Sequence, residues 1–115
     1  MPLVRLETDR KMDEGVMEGI TAGLTAIVSE ATGKPSRYVM TTVCNATTRM
    51  SDESGGSALV QVMSIGGLGP SVNGGIAASI TGLLNEELGI SPDRIYITFT
   101  DVPGENWAWQ GRTFR

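Results

Sequence analysis

Two stretches decide the fold: "ATGKPSRYVMTTV" (31–43) and "ELGISPDRIYITFT" (87–100). Laid on each other, they share a helix end, a glycine, a proline, a basic residue, a tyrosine and a β-branched run. Glycine is a good helix stop, and a proline just beyond it prevents a restart. β-Branched residues then favour a strand. The same punctuation used twice in 115 residues points to a duplicated unit and not to a solenoid.

Outward from these stretches, each half completes a strand–helix–strand pattern. Val16, Ile20, Leu24, Ile27, Val28 and Ala31 fall on one helical face, which predicts a helix from Met12 to about Thr32. Ile76, Ile80, Leu83, Leu84 and Leu88 predict a second helix ending at Gly89. Residues 3–7, 37–43, 57–65 and 94–101 read as strands. Residues 45–56 read as a loop and 66–75 as a turn into the second helix. The expectation is a single domain over 1–115, with pseudo-repeats at about 1–56 and 57–101 and a short C-terminal segment. Right-handed crossovers place both helices on one face of a four-stranded mixed sheet, an α+β fold. The other face carries apolar side chains without a helix to cover them. Its second layer is expected from identical chains.

Composition narrows the functions. Hydrophobic residues make up 40% of the chain, enough for an ordinary core. The net charge is −4 with no basic tail or stripe, which argues against nucleic-acid and anionic-membrane partners. The start lacks a signal peptide's basic residues and apolar run, so a cytoplasmic location is the expectation. Cys44 is the single cysteine, expected as a small buried residue. Histidine is absent, which removes Ser-His and Cys-His catalysis and the commonest metal ligand. The carboxylates show no metal-ligand spacing, and neither a metal nor a cofactor is expected. "GGLGPSV" (66–72) lacks both the third glycine of a dinucleotide loop and the ending of a P-loop.

Several residues keep two readings. Pro2 at the start of a strand is tolerated there on structural grounds alone. If Met1 is removed, Pro2 instead carries a free secondary amine, able to act as a base or nucleophile. Lys34 also has two readings, as a cation at a helix C-terminus or as an anion binder. Tyr96, in an alternating strand, reads as core or sheet surface, and Trp107 with Trp109 as pocket lining or a subunit contact.

Together, "MP" at the start, "ATGKP" (31–35), "SIG" (64–66), "ISPDRIYI" (90–97), Trp109 and "TF" (113–114) resemble the macrophage migration inhibitory factor and D-dopachrome tautomerase family, within the tautomerase superfamily. The resemblance covers essentially the full length. It implies a homotrimer with sites at the subunit boundaries and a cofactor-free keto–enol tautomerisation of phenylpyruvate-like acids. Pro2 matches the family's catalytic N-terminal proline. Lys34 matches the pocket lysine, and Ile65, with Ser64 beside it, a position whose backbone contacts substrate. Tyr96 matches a tyrosine supplied by a neighbouring subunit, and Tyr38 and Trp109 match aromatic residues near the pocket mouth.

The chain also departs from the family. Thr98 stands where the migration factor has a substrate-facing asparagine, and Trp107 where it has a small aliphatic residue. "SALV" (57–60) replaces the vertebrate Cys-x-x-Cys, so thiol-redox activity does not carry over. Receptor contacts cannot be matched from these motifs. A binding or signalling protein with little catalysis is therefore the alternative to the tautomerase. Hydration or dehalogenation of unsaturated acids is a more distant one, since the paired arginines expected for some of those reactions are missing.

Burial among apolar groups and a nearby lysine would lower the pKa of a proline amine toward neutral pH. A base tuned in this way contributes about 10²–10⁴-fold to a proton transfer.

Overall fold

Each helix is fixed by its ends. In the computed structural model, which describes residues 1–115, α1 runs from Glu14 to Thr32. The Asp13 carboxylate accepts the Val16 N–H at 2.8 Å, satisfying one of the free donors of the first turn. Gly33 closes the helix at φ 72°, a left-handed conformation, and its N–H donates to the Ser29 carbonyl. α2 spans Pro70–Leu88, with Pro70 in the first turn, where its missing N–H costs nothing. Residues 70–75, read from the sequence as part of a turn, are thus already helical.

The main sheet contains β1 (Pro2–Thr8), β2 (Met40–Asn45), β5 (Ala58–Ser64) and β6 (Ile95–Asp101). Its order is β2-β1-β5-β6. β1 pairs parallel to β2 and β5 parallel to β6, while the central pair β1–β5 is antiparallel. The two βαβ units therefore meet through their first strands, with Arg5 opposite Gln61 and Pro2 opposite Ser64. Two short hairpins lie outside the sheet: β3 (Arg49–Met50) with β4 (Glu53–Ser54), and β7 (Ala108–Trp109) with β8 (Arg112–Thr113).

Alternation along the strands divides the sheet into two faces. Val4, Leu6, Val60 and Val62 turn inward and pack on Ile20, Leu24, Val28, Ile76, Ile80 and Leu84 of the helices. Burying each such aliphatic side chain contributes about 1.5–3 kcal/mol. The outer face is mixed, not uniformly apolar. Met40, Leu3 and Met63 form an apolar row at one end, Arg5 and Gln61 a polar row in the middle, and Leu59 and Tyr96 stand towards the far end. Met40 and Tyr96 are 65% and 66% exposed. Cys44, expected to be buried, is exposed on β2, an edge strand with a single partner.

After each helix the chain makes the same tight turn, Ser36–Tyr38 in the first unit and Pro92–Arg94 in the second. Tyr38 therefore lies in a turn and not on the strand expected for it. Arg37 and Arg94 occupy equivalent places in these turns, two residues beyond Pro35 and Pro92. Their surroundings differ. The Arg94 guanidinium donates to the carbonyls of Met50, Glu53, Gly55 and Gly56 at 2.8–3.1 Å, tying the β3–β4 hairpin to the start of β6.

Candidate active site

Pro2 is buried at the first position of β1, on the central strand pair. The residue before it is held by the turn that follows β5. The Ile65 N–H donates to the Met1 carbonyl at 3.3 Å. The Lys34 ammonium donates to the Ile65 carbonyl at 3.0 Å. Lys34 itself is pinned as it leaves α1: the Ser29 hydroxyl donates to its carbonyl and its N–H donates to the Thr32 hydroxyl. Gly67 completes this arrangement. At φ 79°, a side chain there would be strained, and its Cβ would lie 3.2 Å from Lys34 Cε and 3.3 Å from the Thr32 carbonyl.

The same turn is tied to the end of β6. The Asp101 carboxylate accepts the Gly66 N–H at 2.9 Å, and the Val102 N–H donates to the Ser64 carbonyl. The Ser64 side chain is fully buried and its hydroxyl donates to the Gly66 carbonyl at 2.7 Å. Ser64 therefore shapes the turn, and its hydroxyl is not presented to a ligand.

On its other side Pro2 opens onto a cleft of about 540 Å³. Met1, Leu3, Val39, Met40, Trp107 and Trp109 supply much of its apolar wall, together with Tyr38. The Tyr38 and Trp109 rings meet edge to face, with centroids 5.7 Å apart. A wall of this kind suits an aromatic ligand. The Met1 α-amine is held below its ordinary pKa, first by partial burial and then by the Lys34 charge. A terminal amine, an apolar aromatic cleft and a lysine beside it thus occupy one end of the sheet.

The sequence profile described as macrophage migration inhibitory factor (MIF) matches residues 1–115, the whole chain. The chain belongs to the macrophage migration inhibitory factor family. The migration inhibitory factor of Rattus norvegicus is 38% identical over 100 residues, covering 86% of this chain and 87% of that protein. The homolog from Trichinella spiralis is 35% identical over 118 residues, covering 99% and 100%. The crystal structure of the migration inhibitory factor-like protein from Entamoeba histolytica superposes with a TM-score of 0.94 at 28% identity, covering 98% of each chain.

Within this family member, the fold brings Pro2, Tyr38, Trp107 and Trp109 to one cleft, with Lys34, Ile65 and Ser64 directly behind Met1. It does not bring Tyr96 or Thr98 there. Ser64, opposite Pro2, pairs with Asp101, whereas Tyr96 pairs with Leu59, five residues back along β5, or roughly 17 Å at strand rise. Thr98, opposite Gln61, is about 10 Å away on the same basis. Both sit on the open face of the sheet, out of reach of their own chain's cleft. Trp107 and Trp109, expected to share a face, both reach the cleft from the C-terminal segment, where the Trp107 N–H donates to the Gly104 carbonyl and its carbonyl accepts the Phe114 N–H.

Four further cleft residues were not singled out from the sequence: Arg37, Val39, Met40 and Ala108. Arg37 had a usable signal, as the one charge between Pro35 and Tyr38. Val39, Met40 and Ala108 had none, because tertiary packing alone brings them to Pro2.

Replacing Lys34 by methionine should raise the α-amine pKa part of the way to its ordinary value, since burial, the larger cause, remains. The pH dependence of amine acylation reads this directly. An unchanged profile would mean that the Lys34 charge is not felt at the chain terminus.

Proposed function

We propose that this protein is a cofactor-free keto–enol tautomerase of phenylpyruvate-type acids, in which the Pro2 amine acts as general base once Met1 has been removed. The observation that carries this reading is the position of Pro2: buried at the end of the central strand pair, open to an aromatic cleft, with Ile65 and Lys34 beside the residue that precedes it.

The chemistry follows from what Met1 occupies. Its carbonyl takes the Ile65 N–H. Without Met1 that donor is free, and Lys34 lies one hydrogen bond away on the same residue. A keto acid whose aryl group enters the Tyr38–Trp109 wall presents its carboxylate to Lys34. The Pro2 nitrogen removes a proton from the carbon next to the carbonyl, and the C–H electron pair becomes the carbon–carbon double bond. The carbonyl electrons pass to oxygen, which accepts a hydrogen bond and then a proton returned by the prolinium or by water. The reverse sequence restores the ketone, so atoms and charge balance with no added reagent.

We place the complete site at the boundary between identical subunits of a trimer. Tyr96 and Thr98 reach a cleft only if it belongs to a neighbour, and the mixed outer face and two edge strands leave room for such a contact. In this reading Tyr96 closes the cleft opposite Tyr38, and Trp107 narrows its mouth.

The test is turnover of phenylpyruvate by chain that starts at Pro2, followed by the loss of enol absorbance in metal-free buffer. The expected result is catalysed interconversion; a rate equal to buffer alone would overturn the tautomerase. A second reading, a binding protein without turnover, draws on the Met1 carbonyl already filling the Ile65 donor. It is favoured if aromatic acids quench Trp107 and Trp109 fluorescence while the enol decays at the uncatalysed rate.

A further inference from the structure

The two equivalent arginines of the repeat have different fates. Arg94 is saturated, with four backbone carbonyls around its guanidinium. Arg37, in the matching turn of the first unit, joins no ion pair; those of the chain are Arg5–Glu7 and Arg94–Glu53. Its guanidinium carbon instead sits 4.7 Å from the centroid of the Tyr38 ring, on the wall of the cleft that holds Pro2. A cation stacked on an aromatic face is steadied by it while keeping its N–H donors for an acceptor.

Lys34 and Arg37 are three residues apart yet serve different places. Lys34 reaches inward to Ile65, behind Met1. Arg37 lies with Tyr38 and Trp109, where the far end of an aryl substrate would rest. A guanidinium offers only donors, in a fork that fits a carboxylate in two-point contact. A plain phenyl ring provides nothing for it to bind.

We propose that Arg37 is a specificity-determining residue, a second anion-binding group at the cleft mouth, and that the cleft favours aryl keto acids with a second carboxylate on the ring over singly charged ones. This deepens the tautomerase reading and takes its substrate orientation from it. The pairing is partly solvated, so the expected preference is modest, about fivefold, and declines as salt screens it.

The probes are 4-carboxyphenylpyruvate and phenylpyruvate, each measured two ways on chain beginning at Pro2. Dissociation constants come from quenching of Trp107 and Trp109, and kcat/KM from the enol assay. The dianionic acid should bind about fivefold more tightly at low salt. Arg37→Met should remove that preference and Arg37→Lys restore part of it. Equal binding of both acids by the unmodified protein, or an undiminished preference in Arg37→Met, overturns the proposal. The binding ratio is read without turnover, so the two ideas fail separately. A preference lost in Arg37→Met with no catalysis of either acid supports the Arg37 site and overturns the tautomerase. Catalysis of both acids with no preference does the reverse.

Discussion

Replacing Pro2 by glycine, in chain that begins at residue 2, should lower kcat/KM for phenylpyruvate by at least about 10²-fold if the Pro2 amine is the proposed base, the lower range for a positioned general base. The substitution keeps an amine but makes it primary and frees its backbone, because only the proline ring fixes the dihedral that aims the nitrogen. The effect falls on chemistry and not on binding, so the loss appears in kcat. The helix–sheet core does not include Pro2 and remains intact; circular dichroism of the variant should match the parent. Retained Met1 is expected to be equally damaging by another route. It turns the nitrogen into an amide and leaves its own carbonyl on the Ile65 N–H. Undiminished turnover by either protein would remove Pro2 from the mechanism.

The second large effect is on stability. Arg94→Ala should destabilise the fold by about 2–4 kcal/mol, because four backbone carbonyls lose one charged donor group together. The Arg94 side chain is only 16% exposed, so water cannot fully replace it. Its ion pair with Glu53 adds little, since that carboxylate is 77% exposed. Thermal unfolding at fixed protein concentration should show a drop of about 10 °C. Arg94→Lys should recover only a minor part, because an ammonium cannot span four acceptors spread around a planar fork. A shift of under roughly 2 °C in Arg94→Ala would show that residues 49–56 hold themselves in place.

Arg94 also illustrates what sequence can and cannot convey. Its motif, "ISPDRIYI", was legible as one half of a repeat, but the clamp was not, since its acceptors are main-chain atoms about forty residues earlier. The C-terminal helix ends were legible because their causes are local: Gly33 and Gly89 act on their own last turns, whereas the glycine-rich composition of 66–75 hid the start of α2 at Pro70. Tyr38 was misplaced because "RYVMTTV" has strand composition throughout, whereas the proline before it imposes a tight turn through Tyr38. Cys44 was misjudged because alternation fixes that neighbours oppose one another, not which of them faces the helices. For the site, Pro2, Lys34, Tyr38 and Trp109 were legible through family motifs. Arg37 carried a signal in its place between Pro35 and Tyr38, but its freedom from ion pairs shows only against its saturated counterpart. Tyr96 and Thr98 can be connected to Pro2 only across two copies of the chain, a relation no single strand register contains.

The cleft draws its walls from both extremities of the polypeptide: Met1, Pro2 and Leu3 from one, Trp107 to Trp109 from the other. This governs how the protein can be handled. A purification tag ahead of Pro2 would block the amine on which the proposed base depends, and one after Arg115 would sit near the segment that carries Trp107 and Trp109. Surface immobilisation or dye attachment belongs on the outer side of α2 instead, at an exposed position such as Glu86, far along the chain from either end. Thiol coupling there would first require Cys44 to be replaced, since that exposed sulfur would take the label as well.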